Sequence, residues 1–427
     1  MFEPILNSTI LGLRESSTLA INQKARKLRA DGQAIYHFGF GQSPFSVPLN
    51  VQKALYKNTF RKDYLPTLGL PELREAFCEY YQQNYGYEFK PDCVLVGPGS
   101  KELIFQAIFI LEGPLLIPAP SWVSYGPQAH IRGKHVHTIL TKKENAYKLT
   151  AIELKKACDS LRVNRQKILI LNNPNNPTGV VYTDEEILSI SKICREEGVI
   201  VISDEIYALI DYSGNKFQGF SKHYPEGTIV TSGLSKGHSA GGYRLGLLAV
   251  PENMRLVMKC LSSMVSETFS AVSAPIQYSA VAAYSGDKEV MEYIAQCTRI
   301  HKITTEYLYK RLSDLEVGCV KPTGAFYLFP DFVDYIPQFK RLKLETSQQM
   351  CDYFLNHLGI AVLPSNDFYY PEDFLACRMA SVDYEGEKVY QMSLRAKKLD
   401  FEFVEKNCPN LKSGMDALQG FLKSLAI

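Results

Sequence analysis

The sequence predicts an α/β protein: a large lobe with a mainly parallel sheet flanked by helices, and a smaller α+β lobe. Three observations predict it. Short apolar runs recur at Val94–Val96, Leu115–Ile117, Ile168–Leu171, Val199–Ile202, Ile229–Val230 and Leu245–Val250. Amphipathic stretches separate several of them, and strand–helix alternation is the signature of crossover-linked parallel strands. After about residue 290 the alternation gives way to one long helical pattern followed by short strands mixed with helices.

Each element follows from its residues. Residues 1–45 precede the first apolar run and are assigned to an N-terminal arm and part of the small lobe, residues 46–290 to the large lobe, and residues 291–427 to the C-terminal small lobe. Between two apolar runs, Thr183 and Glu186 form a capping box that opens a helix over 183–197. Ile187, Ile190, Ser191 and Cys194 then recur at helical spacing. Asp287 to Leu312 reads as a long helix, and Gly324–Phe329, Ile360–Leu363 and Arg378–Val382 read as strands. In open parallel sheets, ligands bind outside the carboxyl ends of the strands. The polar clusters of this sequence fall at those ends.

Composition narrows the function. The chain has 427 residues, 46% apolar and 22% charged, which is ordinary for a globular protein and excludes a disordered tail or a fibre. Lys plus Arg is 47 against 45 for Asp plus Glu, so the net charge of +2 gives no field for nucleic acid or an anionic membrane. The ten cysteines are scattered singly with no C-x-x-C pair, which argues against a zinc site or a disulfide framework and fits a reducing cytosol. The first eighteen residues lack a basic region followed by an apolar core, and no stretch of eighteen apolar residues occurs. A soluble, cytoplasmic protein is expected, with small-molecule substrates and neither nucleic acid nor membrane as a partner.

Five clusters can carry chemistry. Lys236 follows the run Ile229–Val230 within Thr231-Ser232-Gly233-Leu234-Ser235-Lys236, and Arg244 lies eight residues on. A lysine desolvated at a strand end has a nucleophilic amine suited to a Schiff base, and an arginine fork suits a phosphate. The plain alternative is a solvated lysine and a surface ion pair. Asp204 ends the run Val199–Ile202, with Tyr207 three residues later. There a carboxylate can hold a cationic ring nitrogen, and a helical turn would bring both side chains to one ligand, unless Asp204 is simply a helix cap. Asn176 lies in Asn172-Asn173-Pro174-Asn175-Asn176-Pro177-Thr178-Gly179, where its amide can meet a phenolic oxygen or the segment can be turn chemistry alone. Gly97-Pro98-Gly99-Ser100-Lys101 runs from a strand into a helix whose first N–H groups can bind phosphate, though it lacks a complete nucleotide fingerprint. Trp122, the only tryptophan, follows Leu115–Ile117 and can stack on a ring or sit in the core. Together these residues supply an imine-forming amine, a partner for a ring nitrogen, donors for a ring oxygen, a phosphate cradle and a stacking surface. That inventory fits pyridoxal 5′-phosphate.

From about Ser16 to its end, the chain resembles the class I/II aminotransferases of pyridoxal-phosphate fold type I. The resemblance lies in Asn176-Pro177-Thr178-Gly179, Asp204-Glu205-Ile206-Tyr207, Ser235-Lys236 with Arg244, Gly324-Ala325-Phe326-Tyr327, and Arg378 before Ala380-Ser381. The start, Ser17-Thr18-Leu19-Ala20-Ile21 with Lys24-Ala25, is similar to the prokaryotic aspartate aminotransferase subgroup.

The resemblance implies roles. Lys236 would carry the cofactor as an imine and shuttle the proton. Asp204 would hold the pyridine nitrogen, and Asn176 and Tyr207 the ring oxygen. Ser100, Lys101, Ser235 and Arg244 would hold the phosphate, the first two mainly through backbone N–H, and Trp122 would stack on the ring. Tyr64 would reach the phosphate across a homodimer interface. Arg378, helped by the Gly41 backbone and flanked by Trp122 and Asn176, would clamp the substrate carboxylate. Many relatives have serine where this chain has Gly233, with Ser232 beside it, so one phosphate hydroxyl is either missing or replaced.

The implied reaction is ping-pong transfer of an amino group from an L-amino acid to a 2-oxo acid. The subgroup-like start suggests aspartate or glutamate with 2-oxoglutarate, with an aromatic or alanine donor left open. Arg14 and Lys101 are candidate side-chain readers, Arg14 also being explicable as surface charge. A pyridoxal-phosphate lyase or decarboxylase on the same fold is the alternative activity.

Overall fold

Residues buried on both faces of a sheet read as continuous apolar runs, and those runs become the central sheet. In the computed structural model, which describes residues 6–13, 15–161, 166–215 and 217–425, this sheet has seven strands. Across the sheet they are Val94–Gly97, Gly246–Ala249, Thr228–Gly233, Val199–Asp204, Lys167–Asn172, Leu115–Ala119 and Val136–Leu140. Gly246–Ala249 runs antiparallel to both its neighbours, and the other pairings are parallel. The mainly parallel sheet is as expected. The edge strand Val136–Leu140 has no counterpart among the apolar runs because His137 and Thr138 interrupt it, and only Ile139 is buried.

Alternate residues of these strands face two cores. Leu95, Ile117, Ile170, Ile202, Ile229 and Leu248 pack with Leu103 and Ala107 of the helix Ser100–Ile110. Leu116, Leu169, Leu171, Val199 and Val201 face the other way, onto Ile187 and Ile190. The latter belong to the helix Asp184–Glu196, whose capping box is formed as read: Thr183 Oγ1 accepts from Glu186 N, and the Glu186 carboxylate accepts from Thr183 N.

The helix Lys288–Ser313, capped by the Asp287 side chain, leads into a three-stranded antiparallel sheet. Its order is Leu363–Pro364, Cys377–Ala380, Tyr327–Leu328. The chain start joins this part of the molecule. Tyr36–His37 pairs in parallel with Ile360–Ala361. Phe38 and Phe45 are buried in one apolar cluster with Tyr307, Leu328, Phe354, Met379 and Leu411. Full burial stabilises each such phenylalanine by about 2–3 kcal/mol, enough to fix the segment between them against the C-terminal half. That segment, residues 39–44, therefore stands over the carboxyl ends of the parallel strands.

All ten cysteines are free. Among the described residues, no cluster of three or more His, Cys, Asp or Glu could hold a metal ion, and no helix is long and apolar enough to cross a membrane.

Candidate active site

A cavity of about 480 Å³ opens where those strand ends meet the segment 39–44. Gly41, Ser100, Lys101, Trp122, Asn176, Asp204, Tyr207, Ser235, Lys236, Arg244 and Arg378 all line it. Tyr64 does not line it: its side chain is 97% exposed on the surface of the single chain. Arg14 lies outside the described residues.

Lys236 follows the strand Thr228–Gly233, and its Nζ donates to the Gly41 carbonyl. Loss of hydration among the cavity walls, helped by the nearby Arg378 charge and opposed by Asp204, brings its pKa down to about 7. Its amine lies 5.5 Å from the Tyr207 ring centroid and 5.8 Å from that of Phe326. Such an amine is substantially unprotonated at neutral pH, the state required of a nucleophile or a base.

Asp204 ends the strand Val199–Asp204 and is buried. Its Oδ2 accepts from the Tyr125 hydroxyl at 2.6 Å and its Oδ1 from Ile206 N at 3.3 Å. Burial pushes its pKa up to about 6, with the Tyr125 hydrogen bond acting against the rise. A helix was one way for Asp204 and Tyr207 to meet one ligand, but the chain forms a turn there instead. The Ile206 N–H bond makes Asp204 the cap of that turn, and Tyr207 still reaches the cavity, its hydroxyl 2.7 Å from that of Tyr327.

The asparagine-rich loop is held by its own amides. Asn172 Nδ2 donates to the Asp204 carbonyl at 2.9 Å, and Asn172 Oδ1 accepts from Asn176 N at 2.7 Å. Asn176 Oδ1 in turn accepts from Arg378 Nη1 at 3.2 Å. Arg378 Nη2 donates to the Gly39 carbonyl at 2.6 Å, and the guanidinium carbon lies 4.8 Å from the centre of the Tyr327 ring. The residue is 1% exposed, and its Nε has no partner within the protein. Burial lowers its pKa, with Tyr327, Tyr207 and the Asp367 charge acting against the fall, and the free Nε can still serve an anionic ligand.

Arg244 closes the opposite end. It has a φ of 51°, and its Nη1 and Nη2 donate to the carbonyls of Gly241 and Pro98 at 3.0 and 3.2 Å. Gly99, at φ +94°, admits this approach: a Cβ there would stand 2.6 Å from Arg244 Nη2. The start of the helix Ser100–Ile110 and the Arg244 and Lys101 residues line this part of the cavity, an arrangement of N–H groups and cations that can accept an anion. Lys101 Nζ lies 5.3 Å from the Trp122 ring, and burial followed by repulsion from Arg244 lowers its pKa.

Ser232 is not positioned to replace a phosphate hydroxyl. On a strand its side chain faces away from the cavity, and it lies with Tyr81, Tyr284 and Glu205 around a separate small void. A serine at Gly233 would require the neighbouring backbone to shift, because a Cβ there would stand 2.7 Å from the Leu245 carbonyl oxygen.

Sequence reasoning missed Tyr125 as the partner of Asp204, although Tyr125 closes the segment that contains Trp122. Burial of a carboxylate at a strand end demands a donor, but nothing in the spacing says which. Ser16 and Thr18, from the chain start, also line the cavity.

Glu205 faces the other side of the strand end. It is fully buried, Ser203 Oγ donates to its Oε1 at 2.9 Å, and its Oε2 has no partner. Burial, reinforced by the Asp204 charge, pushes its pKa up to about 8. The folded state therefore keeps a proton that the unfolded state releases above about pH 4.5, so stability falls from there to about pH 8. We expect Glu205→Gln to be more stable than the parent at pH 8.5, by several degrees in thermal midpoint, and to lose that advantage at pH 5. Parallel pH slopes for the two proteins would show that Glu205 is ionised in the fold.

The profile of the family described as aminotransferase class I and II matches residues 34–386. The chain belongs to the class I and II aminotransferases. The aminotransferase is 30% identical over 411 residues to aspartate aminotransferase from Bacillus subtilis (strain 168), covering 94% of this chain and 99% of that one. It is 32% identical over 387 residues to aspartate aminotransferase from Geobacillus stearothermophilus, covering 88% and 95%. Its fold superimposes on aspartate aminotransferase from Thermus thermophilus solved with maleate at a TM-score of 0.84, with 24% identity over 97% of this chain and 99% of that one. The aminotransferase thus has the fold type I architecture, and its activity is of the transaminase class.

Proposed function

We propose that this aminotransferase holds pyridoxal 5′-phosphate in the cavity and transfers the amino group of an L-amino acid to a 2-oxo acid by a ping-pong cycle. The donor set supports the cofactor: one amine of lowered pKa, one buried carboxylate, an anion cradle opened by Gly99, and an indole. Lys236 would bear the cofactor aldehyde, Asp204 would face the ring nitrogen, and Asn176 and Tyr207 the ring oxygen. Ser100 and Lys101, mainly through their backbone N–H groups, with Ser235 and Arg244, would face the phosphate, and Trp122 the ring plane. When bound, the cofactor supplies an electron-withdrawing ring for the electron pair left at the substrate α-carbon.

The remaining chemistry belongs to the protein. Lys236 Nζ takes the α-proton of the substrate and later returns it, which its lowered pKa allows near neutrality. Asp204, fixed by Tyr125, supplies a preorganised negative charge. Arg378 orients the substrate through its α-carboxylate, with the Gly41 backbone alongside. The single observation that carries the reading is the convergence of Lys236, Asp204 and Arg378 on one cavity from three distant parts of the chain.

For the donor we propose a dicarboxylic amino acid, aspartate or glutamate, with 2-oxoglutarate as acceptor. Lys101 offers a cation inside the cavity for the distal carboxylate. We further propose a cytoplasmic homodimer in which exposed Tyr64 reaches the partner subunit's phosphate site, and a division into arm and small lobe (1–45), large lobe (46–290) and small lobe (291–427).

The test is a half-reaction screen. Cofactor-loaded protein is mixed with one amino acid at a time while the cofactor absorbance is followed. Aspartate or glutamate should convert it fastest, leaving one equivalent of 2-oxo acid and an aminated cofactor. Continued product release without any amino acceptor would instead identify a lyase or decarboxylase.

A further inference from the structure

We propose that Tyr369, from the small lobe, is a positioning residue for the turn 122–126 and, through it, for both the Trp122 indole and the Asp204 carboxylate. The Tyr369 backbone has a φ of 70°, a left-handed conformation that is strained for a bulky side chain and easy for glycine. What the tyrosine brings to that position is its hydroxyl. The oxygen accepts from Gly126 N at 2.7 Å and lies 3.0 Å from the Val123 carbonyl and 3.2 Å from the Trp122 carbonyl. Its single proton is donated to one of these carbonyls, so one phenol satisfies the Gly126 N–H and a carbonyl of the same turn, the Trp122 carbonyl also accepting from Tyr125 N at 3.3 Å. The ring packs so closely that a Cβ at Gly126 would stand 2.8 Å from a Tyr369 ring carbon.

The turn has two functional outputs. Trp122 lines the cavity, and Tyr125 donates to Asp204 Oδ2 at 2.6 Å. The two rings meet edge to face with centroids 5.2 Å apart, so a shift of one is felt by the other. The Phe368 carbonyl, next to Tyr369, also accepts from Ser121 N at 3.3 Å. The small lobe therefore grips the turn at both ends, and the phenol is the grip nearest the chemistry.

Trp122 is the only tryptophan among 26 tyrosines, so emission excited beyond tyrosine absorption reports this turn alone. The first measurement uses protein freed of cofactor and does not depend on the function proposed above. Tyr369→Phe deletes one oxygen and keeps the ring, while Tyr369→Gly deletes the hydroxyl and relieves the backbone. Both should shift the Trp122 emission to the red and raise its acrylamide quenching roughly twofold, as a freed local hydrogen bond allows. The glycine variant also deletes the packed ring, so its thermal midpoint should fall further than that of the phenylalanine variant, which alone isolates the hydroxyl.

The second measurement uses loaded enzyme and rests on the cofactor reading. Loss of the Tyr125 contact to Asp204 should move the pH midpoint of the cofactor absorbance and lower kcat more than it raises KM. If the indole of either folded variant is as shielded as in the parent, the positioning role is wrong, whatever happens to the thermal midpoint. If the cofactor never binds, the emission shift still decides the role of Tyr369 in the turn.

Discussion

Lys236→Ala should lower turnover by roughly 10⁴-fold or more, because it removes both a covalent attachment point and a general base from one atom. Cofactor binding should survive in weakened form. The helix start at Ser100, the Arg244 fork and the Asp204 carboxylate are contributed by other segments and do not depend on the amine. Lys101, the other lysine lining the cavity, lies beside Trp122 and cannot be assumed to take over. A small added amine should restore part of the α-proton transfer, since the deleted group leaves space where it stood. Steady-state assays with and without that amine, together with borohydride reduction and peptide mapping of the parent, check the expectation. Normal transamination by the variant without added amine, or a tag on any residue other than Lys236, would refute it.

Arg378→Lys has the second largest expected effect. The change keeps the charge but loses the planar fork that bonds Gly39 and Asn176 while leaving Nε free for a ligand. Loss of a bidentate charge-assisted contact to a carboxylate corresponds to about 3–4 kcal/mol, or roughly 10²–10³ in kcat/KM. Amino acid and 2-oxo acid both present an α-carboxylate, so KM should rise for both half-reactions, while the absorbance of the loaded enzyme without substrate stays unchanged. A rise confined to one substrate would mean that Arg378 reads a side chain.

Much of this was legible in the residues, for identifiable reasons. Continuous apolar runs exposed the buried strands because desolvation on both faces leaves no room for polar residues. The edge strand Val136–Leu140 was invisible for the converse reason: half of it meets solvent, and His137 and Thr138 blur its pattern. Lys236, Asp204 and Asn176 stood out because each lies at, or within four residues of, the carboxyl end of a strand, where a charge or amide needs a use. Arg378 lies within a strand, Cys377–Ala380, and was legible only through family resemblance. Tyr125 and Tyr369 left no trace, since a tyrosine that bonds a carboxylate or a turn looks in sequence like any core aromatic. Spacing along the chain also did not say which face Ser232 would take. That was decided by pairing with Gly246–Ala249, whose backbone crowds Gly233.

The bond from Arg378 to the Gly39 carbonyl spans 339 residues. A chain that stopped short of residue 378 would carry the amine at position 236 without this closure. The wall that residues 39–44 give the cavity is thus tied to a side chain added late in synthesis.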